Sequence, residues 1–70
     1  MKKLIIFGLT DTAELANYYF SNDSDFKVEA FCADKDYINE KKFCDLEVHD
    51  FNKIEELFNP SDYFVFIAIS

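Results

Sequence analysis

Four apolar runs divide the chain, and two of the stretches between them carry helical spacing. Leu4-Ile5-Ile6-Phe7 is short, continuous and rich in β-branched and aromatic residues, which predicts a strand buried on both faces. Gly8, the only glycine, ends it. Asp11 or Thr12 then supplies a capping oxygen for a helix that puts Ala13, Ala16, Asn17 and Phe20 on one side, with Leu15 and Tyr19 beside them. Ser21 to Asp25 is a polar turn cluster. From Phe26 to Ala33, the residues Val28, Ala30 and Cys32 alternate with Lys27, Glu29 and Phe31, the pattern of a second strand. A right-handed crossover lays it parallel to the first and beside it.

Asp34 to Asp45 is charged, carries Tyr37, Ile38 and Phe43, and reads mostly as loop with a turn of helix. Leu46-Glu47-Val48-His49 predicts a short strand at the sheet edge. Asn52 with Glu55 three residues on is a capping-box pattern that opens a second helix, Lys53 to Phe58, with Ile54, Leu57 and Phe58 toward the core. Asn59-Pro60-Ser61-Asp62 stops it. Tyr63 to Ile69 is the most apolar run of all. The order β-α-β-β-α-β predicts a small Rossmann-like, three-layer α/β domain over residues 1–70. Its sheet is expected to be parallel and four-stranded, ordered 3-2-1-4, with flanking helices. The last strand would leave a bare apolar edge, so we expect the chain to be the front part of something longer.

Composition narrows the function classes. With 50% hydrophobic and 19% aromatic residues the chain is expected to fold, although 70 residues bury only a thin core. A net charge of -7 repels polyphosphate backbones and argues against a nucleic-acid binder. Cys32 and Cys44 have neither CxxC spacing nor histidines at metal-ligand spacing. Cys32 is expected to be a buried thiol in a reducing, cytoplasmic setting. The apolar run after Lys2-Lys3 is too short for a signal peptide, and no stretch reaches the ~20 apolar residues of a membrane span.

Candidate chemistry centres on Gly8-Leu9-Thr10-Asp11-Thr12-Ala13, which stands where a G-x-G-x-x-G/A loop would. The first glycine and the closing small residue are present, but Thr10 replaces the glycine that lets a diphosphate approach the backbone. The loop therefore reads either as a tight turn or as a phosphate cradle at a helix start. Asp34 ends the second strand, 26 residues after Gly8, against the usual ~20 for an acid that holds a ribose hydroxyl. A solvated loop aspartate is the alternative. His49, the only histidine, has no nucleophile placed beside it and reads as a surface residue at the sheet edge.

Lys2 to Gly8, Ala13-Glu14-Leu15-Ala16, Val28 to Asp34, Leu46 to Val48, Ile54-Glu55-Glu56-Leu57 and Phe66 to Ile69 together resemble the N-terminal domain of sugar acetyltransferases. These are the enzymes of the sialic-acid O-acetyltransferase and bacillosamine N-acetyltransferase type. The resemblance implies a Rossmann-like domain that holds a UDP-sugar. A left-handed β-helix would follow it, bind acetyl-CoA, carry the catalytic histidine and form a trimer. It puts Gly8, Thr10 and Asp11 on the phosphate side, Asp34 and Lys35 on the uridine side, and Ser70 on the turn after the last strand. Positions 10, 45 and 70 look like family glycines but hold Thr10, Asp45 and Ser70. No cofactor is expected on this domain, which would not be catalytic alone, and His49 does not inherit the catalytic role. Two rival expectations are a stand-alone interaction module that no longer binds nucleotide and a nicotinamide-cofactor domain.

Overall fold

The computed structural model describes residues 2–68, and Ile69 and Ser70 lie outside that range. It is a small mixed α/β fold. Strand β1 spans Lys2–Phe7, helix α1 Asp11–Asp23 and strand β2 Phe26–Ala33. After a 3-10 turn at Lys35–Tyr37 come strand β3, Lys42–Phe43, and strand β4, Leu46–Asp50. A second 3-10 turn at Phe51–Lys53 runs into helix α2, Ile54–Leu57, and a third at Pro60–Asp62 leads to strand β5, Tyr63–Ile67.

The sheet differs from the expected one in count and order. Among the described residues it has five strands, ordered β3-β4-β2-β1-β5, and it is mixed, because β3 runs antiparallel to β4 while the other pairs are parallel. The added strand lies in the segment read as loop. Cys44 (φ 52°) and Asp45 (φ 65°) both take left-handed backbone conformations, the geometry of a two-residue hairpin turn. They fold Phe43 back onto Leu46 and Lys42 onto Glu47. The usual sequence signal for that turn, Asn-Gly or Asp-Gly, is absent. As a result β4, expected at the edge, lies between β2 and β3.

Both faces of the sheet are covered, unequally. On the α1 face Leu4, Ile6, Ala13, Val28, Phe31 and Ala68 form one buried cluster. On the α2 face Ile5, Cys32 and Ile54 form a second, with Phe7, Phe58 and Tyr63 against it. The simple alternation expected for β2 fails at Glu29. Leu4 pairs with Val28 and Ile5 with Ala30, so Glu29 is an extra residue in the ladder, a β-bulge. It shifts the phase of the strand, which is why Val28 and Phe31 share one cluster while Cys32 joins the other.

The helix starts also depart from expectation. The residue capping α1 is Thr10, in extended conformation and without a side-chain cap bond, rather than Asp11 or Thr12. At its other end Ser24 Oγ donates to Phe20 O (2.6 Å) and accepts from the Phe26 amide (3.1 Å), turning the chain into β2. Before α2 the expected capping box at Asn52 is replaced by Asp50, whose carboxylate accepts the Asn52 N–H at 3.0 Å. With only one turn of helix, Ile54 is buried and Leu57, expected inside, is exposed.

Candidate functional site

The parallel strands open onto a cavity of about 520 Å³ at their carboxyl ends. From β1 the chain crosses to β2 on one side, while β5 pairs on the other. Such a switch point leaves a crevice above the strand ends. Phe7, Gly8, Leu9, Thr10, Ala33, Asp34, Tyr37 and Ala68 line it. Its floor is apolar, and its polar groups stand at the rim.

Two hydrogen bonds close the floor. The Gly8 amide donates to Cys32 O at 2.9 Å, and the Ala68 amide donates to Phe7 O at the same distance. Gly8 takes φ +138°, and a Cβ built on it would lie 2.6 Å from the Ala68 carbonyl oxygen. Glycine is thus required because β1 and the end of β5 approach each other there. That requirement exists without any ligand.

Thr10 lines the cavity with φ −102°, comfortable for a β-branched residue. The amide of Glu14 donates to its carbonyl at 3.1 Å, the first hydrogen bond of α1. Helix termini leave earlier amides such as those of Asp11, Thr12 and Ala13 without carbonyl partners, and none is capped by a side chain here. Asp11 stands in that first turn, exposed and outside the cavity lining.

On the opposite rim Asp34 precedes the 3-10 turn, its carbonyl accepting the Tyr37 amide at 2.9 Å. Its side chain makes no capping bond. Lys35 follows, exposed and not lining the cavity. Gly8, Thr10 and Asp34 are therefore brought together around one cavity, Asp11 and Lys35 stand outside it, and Ser70 falls outside the described residues. Tyr37 was missed by sequence reasoning. It is 71% exposed yet lines the cavity, held over it by the 3-10 turn. Its only signal was an aromatic ring in a charged segment.

Among the described residues Asp34 is the charged side chain that lines the cavity. Of the two free thiols, Cys32 is buried below the cavity, and burial pushes its pKa up to about 12, so it is not a nucleophile. Cys44 is exposed; partial burial and the charges of Glu14 and Asp45 raise its pKa, partly offset by a hydrogen bond with Asn17. His49, expected on the surface, is half-buried, with Nε2 3.4 Å from Glu47 and its ring against Phe58. Among the described residues no group of His, Cys, Asp and Glu is arranged to hold a metal, and no helix is long and apolar enough to cross a membrane.

No family model, curated protein or solved structure matches the chain.

Proposed function

We propose that the chain is a nucleotide-sugar-binding domain of the type that begins sugar acetyltransferases. The observation that supports this reading best is the apolar cavity at the carboxyl ends of β1 and β2, bounded by the first turn of α1 and by Asp34. The first-turn amides of α1 would meet the diphosphate of a UDP-sugar. Asp34 would accept a ribose hydroxyl, and Tyr37 would offer its ring to the base. The domain binds and orients. Acetyl transfer from acetyl-CoA belongs to a separate β-helix domain in this proposal, together with the catalytic base and a trimeric assembly. Two cysteines left as free thiols are in keeping with a cytoplasmic location.

Titration with UDP-N-acetylglucosamine, followed by amide chemical shifts, tests the proposal. Saturable shifts are expected at Gly8 to Ala13 and at Asp34 to Tyr37. Thr10→Gly is expected to tighten binding by about tenfold, ~1.4 kcal/mol, by letting phosphate approach the backbone. Absence of saturable shifts in both variants would overturn the reading. An interaction module without nucleotide would then take its place, a reading favoured by the net charge of -7 and the exposed residues of β5.

A further inference from the structure

Strand β5 pairs with β1 along one side only. The Ala68 amide donates to Phe7 O, so by the two-residue alternation Phe64 and Phe66 also turn their N–H groups toward β1. Tyr63, Val65 and Ile67 turn theirs, and their carbonyls, outward. Among the described residues nothing pairs with that outer side. The strand contains no charge, proline or bulge, the devices that ordinarily protect an edge. Phe64 and Ile67 are more than half exposed, Val65 and Phe66 more than a third.

We propose that β5 pairs antiparallel with β5 of a second copy of this chain, about a two-fold axis at Val65. The register follows from the outward groups. Val65 meets the partner's Val65 and Tyr63 meets the partner's Ile67, each as a hydrogen-bonded pair. Phe64 then lies opposite the partner's Phe66 at the closer spacing, ~4.5 Å between Cα atoms, which favours aromatic cross-strand contact. The two sheets become one.

A second copy fits better than an open-ended array because the pairing is self-complementary and uses up both β5 edges. The other edge, β3, has only two residues and carries Lys42, so it does not extend the sheet further. Area sets the strength. The exposed parts of Phe64, Val65, Phe66 and Ile67 amount to roughly 350 Å² per copy, taking ~150–250 Å² for a whole aromatic side chain. Two copies supply roughly 700 Å², below the ~1,200–2,000 Å² of stable complexes, so the pair is reversible. Each copy carries a net charge of -7, so like-charge repulsion opposes pairing and salt relieves it.

Sedimentation equilibrium of the whole chain from ~10 μM to ~1 mM is expected to give a monomer–dimer equilibrium with Kd on the order of 100 μM. It should tighten several-fold between ~20 mM and ~500 mM NaCl. Hydrogen exchange at the Val65 and Ile67 amides should slow as concentration rises, while exchange at Phe64 and Phe66, already bonded to β1, should not change. Val65→Pro removes an outward N–H and no bond to β1, and is expected to weaken dimerisation at least ~tenfold with the circular dichroism unchanged. Val65→Lys sets two ammonium groups opposite each other and provides the same test should the proline variant unfold. A monomer over the whole range would overturn the proposal. So would a dimer insensitive to a folded variant, or association that continues past two copies.

Discussion

At one edge of the sheet β3 contributes two residues, Lys42 exposed and Phe43 turned inward, and a hairpin turn ties it to β4. At the other, β5 contributes five residues, all apolar or aromatic, paired with β1 along its whole length. The first edge is short and charged, and its one large side chain is spent on the core: the Phe43 ring meets Phe31 edge-on at 4.8 Å. The second edge turns aromatic rings to solvent, although Phe66 still reaches Phe20 and Phe64 reaches Phe26. The difference is one of chemistry rather than pairing strength. An edge with a charge and few free amides is finished, whereas an apolar edge with a free backbone ladder is a surface for a partner.

The comparison breaks most visibly at Gly8. Gly8→Ala puts a Cβ against the Ala68 carbonyl at a φ that L-residues rarely adopt, and it should cost about 2–4 kcal/mol. The loss would be seen in urea unfolding, with faster amide exchange along β5. Phe43→Ala should loosen the opposite edge at a cost of about 1–3 kcal/mol, less than a fully buried phenylalanine because Phe43 is only half-buried. The Val48 amide, which donates to Lys41 O, should then exchange faster while β5 is unaffected. Asp45→Gly should stabilise the hairpin edge by about 0.5–1 kcal/mol, because glycine accepts φ 65° without strain. Ile67→Lys gives β5 the kind of charge β3 already has. It should change stability by no more than about 0.5 kcal/mol and suppress self-association.

The two thiols sharpen the contrast between interior and edge. At pH 8, iodoacetamide should label Cys44 in the hairpin turn and spare Cys32 until the chain unfolds. Burial holds the Cys32 thiol neutral up to about 12, while in the unfolded chain it ionises near 9.0. Its contribution to stability is therefore complete below pH 9.0 and is lost as the pH rises toward about 12, because the unfolded state alone gains the charge. Replacing Cys32 by alanine should flatten that alkaline decline in chemical denaturation.

Much of the interior was legible because one signal dominated each segment. The apolar run Leu4 to Phe7, with Gly8 after it, defined a buried strand and its exit, and Ala13 marked the buried side of α1. The hairpin was hidden because its turn is the exposed pair Cys44-Asp45, both left-handed, without the Asn-Gly or Asp-Gly pair that signals such a turn. Leu57 was misplaced because a helical pattern assigns a face only if the helix is long enough to have one, and α2 has four residues. Gly8, Thr10 and Asp34, singled out by their places after the first two strands, line one cavity, whereas Tyr37 depended on a 3-10 turn that leaves no periodic trace.

The bulge at Glu29 makes β2 a strand of two reading frames. Residues before it and after it are each in phase with β1, but not with one another. Removing Glu29 alone would join the halves into a regular ladder, with Ala30 following Val28 as its neighbour on the opposite face. Removing Ala30 instead would also close the bulge and leave Phe31 opposite Ile6, but it would set Glu29 opposite Ile5, in the place where Ala30 is now buried. The two deletions are adjacent in sequence and equal in length. One edits the irregularity and keeps Ala30 in its buried place, and the other puts a carboxylate there.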